Sequence, residues 1–209
     1  MKIGIVDYGL ANLRSVVNAF EYLEQDTKVA KTGDELFDCD RLVLPGVGAF
    51  DKSMNEIRDR GHEEALNELI IEKKKPILGI CLGMQLFCES SDEGVSKGLG
   101  WIRTKCRSFD INDKKIRVPN IGWGEVDINQ SSKLFYGLAQ KSDFYFVHSY
   151  FVPVEISEAG VITSNCYYGS NFAAALEWNN IYGCQFHPEK SQMAGLKLLD
   201  NFVGKLKNE

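Results

Sequence analysis

The chain has 209 residues, with 24 Lys and Arg against 29 Asp and Glu, a formal net charge of −5 and hydrophobic residues at 44%. That length can bury a sizeable core and is expected to form a single domain over residues 1–209. The mildly acidic balance, with no long run of either sign, lacks the basic footprint of nucleic-acid or anionic-membrane binding, so neither is expected as a partner.

The start, "MKIGIVDYG", has no long apolar core with a small-residue cleavage site, and no later stretch has the apolar length to span a bilayer, so the chain is expected to be cytoplasmic. "KIGIV" is a short apolar strand, followed by Leu13, Val16, Val17, Phe20 and Leu23 at helical spacing. A weaker strand near "TKVA" precedes a clear one at "RLVLPG". Met54, Ile57, Ala65, Leu66, Leu69 and Ile70 predict one long helix, with His62 on its charged, solvated face and Lys73, Lys74 and Lys75 at its end. "PILGI" is another buried strand, leading into a helix at "LGMQLF". Continuous apolar strands alternating with helices predict an α/β fold: a doubly wound, mostly parallel sheet with helices on both faces.

From Leu99 the segments "WIRTKCRSF", "KIRVPNIGWGEV", "DFYFVHSYFVPV", "GVITS", "FAAALEW" and "IYGCQF" are aromatic and β-branched, separated by Gly, Asn and Asp, and predict an antiparallel extension of the sheet. A last helix carries Met193, Leu196, Leu199, Phe202, Val203 and Leu206. Cysteines 39, 81, 88, 106, 166 and 184 show neither C-x-x-C nor His/Cys ligand spacing, so no metal site and no disulfide framework is expected, and most are expected to be small buried residues. With no G-x-x-x-x-G-K-[ST] loop and no G-x-G-x-x-G fingerprint, no cofactor is expected.

Chemistry concentrates in "GICLG", residues 79–83. Strand, G-x-C-x-G, then helix is the thiol form of the nucleophile elbow, a sharp turn that holds Cys81 clear of the sheet at a strand's carboxyl end. The start of the following helix favours the thiolate and turns backbone N–H groups, that of Leu82 among them, toward an oxyanion. A thiolate needs a base, and the chain has three histidines. His148, in "YFVHSYF", either points to a site or is a satisfied core histidine. His187, in "GCQFHPEKS", ends an aromatic strand, and in an extended run Glu189 projects on its side. Cys81 as nucleophile, His187 as acid and base and Glu189 as orienting partner form a triad suited to acyl transfer.

"GICLGMQL" and "FHPEKS" resemble the class I glutamine amidotransferases, and "DYGLANLRSV", "LPGVGAF", "PNIGWGEV" and "YFVHSYF" are similar to the branch of stand-alone glutaminase subunits of imidazole glycerol phosphate synthases. The resemblance spans the chain. It implies hydrolysis of L-glutamine through a cysteinyl thioester. The ammonia would pass within a heterodimer to a (βα)8-barrel cyclase that makes imidazole glycerol phosphate and AICAR in histidine biosynthesis. It further implies that Gln85 and Glu93 hold the glutamine's amino-acid end, with Gly48 and the backbone at Ser149 and Tyr150 alongside. The second oxyanion donor comes from around Val47, and Asn12, Trp123, Tyr145 and Lys190 fall at the partner contact and ammonia passage. Glycines on both sides of Val47 allow a peptide flip there, so the isolated chain is expected to be nearly inactive until its partner binds. The chain departs from the branch at Ala11, Asn120 and Gly124, near the expected partner surface. The alternatives are the same glutaminase serving an enzyme that amidates a bacterial surface sugar, a non-catalytic regulatory module, and a cysteine peptidase or thiol sensor on a similar scaffold.

Overall fold

The computed structural model describes residues 1–10, 12–110 and 116–204. The expected contributions of Ala11, Lys115 and Leu206 lie outside them. The first half runs β1 (Lys2–Val6), α1 (Leu13–Tyr22), β2 (Asp26–Ala30), β3 (Arg41–Gly46), α2 (Phe50–Asp59), α3 (His62–Leu66), β4 (Ile77–Cys81) and α4 (Leu82–Gln85). The second runs β5 (Cys88–Ser91), β6 (Ile102–Ser108), β7 (Asn120–Asp127), β8 (Lys141–His148), β9 (Tyr150–Phe151), β10 (Ile162–Tyr168), β11 (Ser170–Trp178), β12 (Ile181–Cys184) and α5 (Gln192–Gly204).

Nine strands form one sheet in the order β2-β1-β3-β4-β12-β11-β10-β7-β8. β2, β1, β3, β4 and β12 run parallel, and from β12 outward every pairing is antiparallel. The parallel strands are apolar throughout because both their faces are covered. Ile3, Ile5, Val43, Leu78 and Ile80 pack with Val16 and Phe20 of α1 and Leu198 and Phe202 of α5. Leu42, Leu44 and Ile77 point the other way, onto Met54, Ile57, Leu66 and Leu69. Burying each such side chain contributes about 1.5–3 kcal/mol. Phe144 stacks on Phe186 with ring centroids 4.0 Å apart, which ties the antiparallel half to the chain leaving β12.

Besides β6, expected in the antiparallel extension but paired parallel with β5 and antiparallel with β9 in a separate three-stranded sheet, two expectations need correction. The long helix is broken at Gly61, whose φ of +68° closes α2 before α3 begins, and α3 runs on into π-helical turns over Asn67–Glu72. The break resets the helical phase, so His62 is buried instead of solvated, with Nε2 3.3 Å from the Asp7 carbonyl oxygen. Second, "IYGCQF", expected in the antiparallel array, is the seam of the sheet: β12 runs antiparallel to β11 and parallel to β4. That seam positions the site. Cys184 lies opposite Ile80, so Cys81 and His187 leave neighbouring strands at the same end of the sheet. No described helix is long and apolar enough to cross a membrane.

Candidate active site

β4 ends at Cys81 with φ 54° and ψ −111°. A non-glycine residue there is strained, at a cost of about 1–3 kcal/mol, so its surroundings must hold it. They do so by close packing. A Cβ on Gly83 would overlap the Leu44 carbonyl oxygen, so only glycine lets the turn after Cys81 press onto β3. The expected elbow helix is a single turn, because the chain swings into β5 at Cys88. One turn has little macrodipole, so stabilising negative charge on Cys81 falls to the side chains around it.

Beyond β12 the chain passes through Gln185 and Phe186 to His187, then folds into a 3₁₀ turn over Pro188–Lys190. That turn, not the alternation of an extended strand, brings the Glu189 carboxylate to His187: Nδ1 and Oε1 are 2.8 Å apart, with the side chains 3% and 4% exposed. β8 holds the histidine from the side. His187 N–H donates to the Tyr145 carbonyl at 2.8 Å, while Ser191 Oγ donates to the His187 carbonyl and accepts from the Tyr145 N–H. Among the described residues His187 Nε2 is buried with no hydrogen-bond partner, and Cys81 and Glu189 are the groups that act on the ring. Burial alone would pull the His187 pKa down, but hydrogen bonding and charge from Cys81 and Glu189 outweigh it and raise it to about 9. At neutral pH the imidazole is therefore protonated. Cys81 Sγ itself lies 3.6 Å from the Val147 carbonyl oxygen and 3.6 Å from Gln185 Nε2.

Cys81 opens onto a cavity of about 280 Å³. It is lined by Val47, Gly48, Leu82, Gln85, Glu93, Ser149 and Tyr150, all singled out from the sequence, together with Pro119, Ile121, Val147 and His148. The β3–β4 register sets Gly46 opposite Cys81, which brings Val47 to the cavity's edge. Gly46 is wedged between Tyr8 Oη and the Gly83 nitrogen, whereas Gly48, at φ +105°, has open space around it. Freedom for a peptide flip therefore lies on the Gly48 side of Val47 and not on both sides. Glu93 accepts the Phe50 N–H at 2.9 Å at the start of α2, and burial raises its pKa. His148 is a satisfied histidine. Burial depresses its pKa to about 4, its Nδ1 donates to the Tyr150 carbonyl at 2.9 Å, and its Nε2 faces the Asn120 amide at 3.2 Å.

The sequence model of the class-I glutamine amidotransferases matches residues 4–206. The chain belongs to that family. It is 43% identical over 203 residues to the imidazole glycerol phosphate synthase subunit HisH of Leptospira borgpetersenii, covering 96% of this chain and 98% of that one. To the HisH 1 subunit of Campylobacter jejuni it is 44% identical over 202 residues, with the same coverage. Among solved structures, PurLQS from Thermotoga maritima superposes with a TM-score of 0.74 at 18% identity, over 99% of each chain. The glutaminase domain of CTPS from Trypanosoma brucei gives 0.66 at 18%, over 97% of this chain and 94% of that one. At such identities the structures share the fold.

Around this amidotransferase pocket the other predicted residues spread outward. Trp123 and Tyr145 are register partners on β7 and β8, their rings edge to face at 6.0 Å, and Trp123 is half exposed. Asn12 is exposed before α1 and makes no side-chain cap; α1 packs against the turn that carries exposed Lys190. All six cysteines are free and buried. Three residues of the site escaped the sequence: Gln185 and Asn120, buried amides, and Tyr8, whose Oη donates to the Pro45 carbonyl under the Val47 loop. Gln185 had a signal, a polar residue inside the apolar run "YGCQF". Asn120 stood out only as a departure from the branch, and Tyr8 had no signal beyond its place in "DYGLANLRSV".

Proposed function

We propose that this amidotransferase is the glutaminase subunit of an imidazole glycerol phosphate synthase. The reading rests on one observation above the rest: a cysteine on a strained elbow shares its end of the sheet with an imidazole that a buried carboxylate holds in place, so that the Cys81 proton passes to His187 before the sulfur attacks. Cys81 sulfur attacks the side-chain carbonyl carbon of L-glutamine, and the oxyanion takes the N–H groups of Leu82 and Val47. The tetrahedral adduct collapses as His187 gives its Nε2 proton to the leaving nitrogen. Ammonia departs and a thioester remains. Water then attacks the thioester carbon while His187 takes its proton, the C–S bond breaks, and glutamate leaves with Cys81 again a thiolate beside protonated His187. Gln85, Glu93, Gly48 and the backbone at Ser149 and Tyr150 seat the substrate's amino-acid end. Glu93 supplies the negative charge toward its ammonium.

Free ammonia would be lost to water, so this chemistry needs a close partner. The identity to HisH subunits supports a cyclase as that partner, and we assign it the (βα)8-barrel fold in a heterodimer, with Asn12, Trp123, Tyr145 and Lys190 at the contact. The test is to isolate the chain from its native cell, identify what co-purifies, and assay glutamate formation with and without that partner. A cyclase is expected, along with turnover that Cys81→Ala abolishes and labelling of Cys81 by 6-diazo-5-oxo-norleucine. A sugar-amidating synthetase in its place would overturn the pathway and keep the chemistry, whereas a fully active Cys81→Ala variant would overturn the chemistry. Full activity of the chain without partner would refute the gating at Val47.

A further inference from the structure

The Gln185 side chain is fully buried between the nucleophile and Gln85, which lines the pocket. Its backbone N–H is fixed on the Ala174 carbonyl of β11 at 2.8 Å. Its Nε2 lies 3.6 Å from Cys81 Sγ, and its Oε1 lies 2.9 Å from Gln85 Nε2, which is also 2.8 Å from the Tyr150 carbonyl oxygen. These partners dictate which end of each amide points where. A carbonyl oxygen only accepts, so Gln85 must turn its NH₂ to Tyr150. The second hydrogen of that NH₂ needs an acceptor, which is Gln185 Oε1. Gln185 is then left to present its own NH₂ to sulfur.

A donor fixed on sulfur favours the thiolate, while the Val147 carbonyl on another side can serve only the S–H form. Resting on the reading of Cys81 as the glutaminase nucleophile, we propose that Gln185 is a positioning residue: its carboxamide holds the Cys81 thiolate in its attacking orientation and couples it, through Gln85, to the Tyr150 carbonyl at the substrate strand. Its place in the site differs from that of His187, which moves a proton. Gln185 moves none, and keeps its hydrogen bond through the cycle. The titratable groups facing Cys81 are His187 and Glu189 beyond β12, Cys184 at its end, Tyr8 after β1, and, across the pocket, Glu93 and neutral His148 on β8.

The test measures alkylation of Cys81 by iodoacetamide against pH in the full chain, followed by peptide mass. It compares wild type with Gln185→Glu, which keeps the acceptor for Gln85 and puts an oxygen on sulfur, and with Gln185→Met, which removes both bonds. Gln185→Glu is expected to raise the alkylation midpoint by about one pH unit or more, and Gln185→Met to raise it by less. In the complex with the co-purified partner, Gln185→Glu is expected to lower kcat about tenfold or more with KM within about threefold. A merely structural role would lower the melting temperature and leave the midpoint in place, and unchanged midpoints in both variants overturn the proposal. If Gln185→Glu does not fold, Gln185→Met decides alone. A wild-type Cys81 that, in the complex with the co-purified partner, resists both iodoacetamide and 6-diazo-5-oxo-norleucine sinks the glutaminase reading itself, and this inference with it.

Discussion

Replacing Glu189 by glutamine removes one buried negative charge and leaves an oxygen within reach of His187 Nδ1. The wild-type imidazole titrates at about 9, against the pull of its own burial, because Cys81 and Glu189 support the charged form. A hydrogen bond to a charged group is worth about 1.5–3 kcal/mol, and one pKa unit about 1.4 kcal/mol, so losing the carboxylate lowers the value by about one to two units. At pH 7.5 the protonated fraction then falls from about 97% to between about a quarter and three-quarters. Histidine ring NMR reads this directly, because the chain has only three histidines and burial pulls the other two down, His148 to about 4. The one resonance that titrates well above neutrality is therefore His187. A midpoint that stays near 9 in Glu189→Gln, or a wild-type chain with no ring titrating above about 8, would refute the account of the dyad.

Three further outcomes are expected. An unfolded-chain histidine takes up its proton near 6.5 and folded His148 only near 4, so the unfolded state binds more protons in that window and stability falls as pH drops through it. Urea unfolding should show His148 contributing about 2 kcal/mol of loss between pH 7.5 and 5, which His148→Gln removes; equal losses in variant and wild type contradict it. Buried Glu177 accepts from Ser132 Oγ and from the N–H groups of Lys133 and Leu134, so Glu177→Ala leaves buried donors unpaired and should cost about 3 kcal/mol, read by calorimetry as a melting point about 6–12 °C lower. A drop under about 3 °C would show that the turn does not depend on that carboxylate. Glu93→Gln keeps an acceptor for the Phe50 N–H but loses the charge facing the pocket. Its KM for glutamine should rise about tenfold or more with kcat within about threefold, and a fall in kcat at unchanged KM would place Glu93 elsewhere in the mechanism.

Periodicity and spacing carry local structure well where one rule decides. The apolar runs at Ile3–Val6, Leu42–Leu44 and Ile77–Ile80 are short and bounded by turn residues, which favours strands buried on both faces, and G-x-C-x-G could be read as an elbow because only small residues fit where a turn presses on a neighbouring strand. The same rules failed where a single residue changed the phase: Gly61 turned one expected helix into two and buried His62. The elbow helix was overestimated for a similar reason. Its apolar run belongs to a one-turn helix followed by a strand, which spacing alone cannot divide.

By itself the sequence determined which groups could react and what family of chains this is, since residue types and short-range spacing are local properties. Only the tertiary structure decided that Cys81 and His187 meet, because the meeting depends on β12 entering the sheet beside β4 from the opposite half of the chain. Tertiary packing also decided the charge on each histidine. Hydrogen bonds and charge from Cys81 and Glu189 push His187 up against its own burial, burial pushes His148 down, and neither quantity exists until distant segments have packed together.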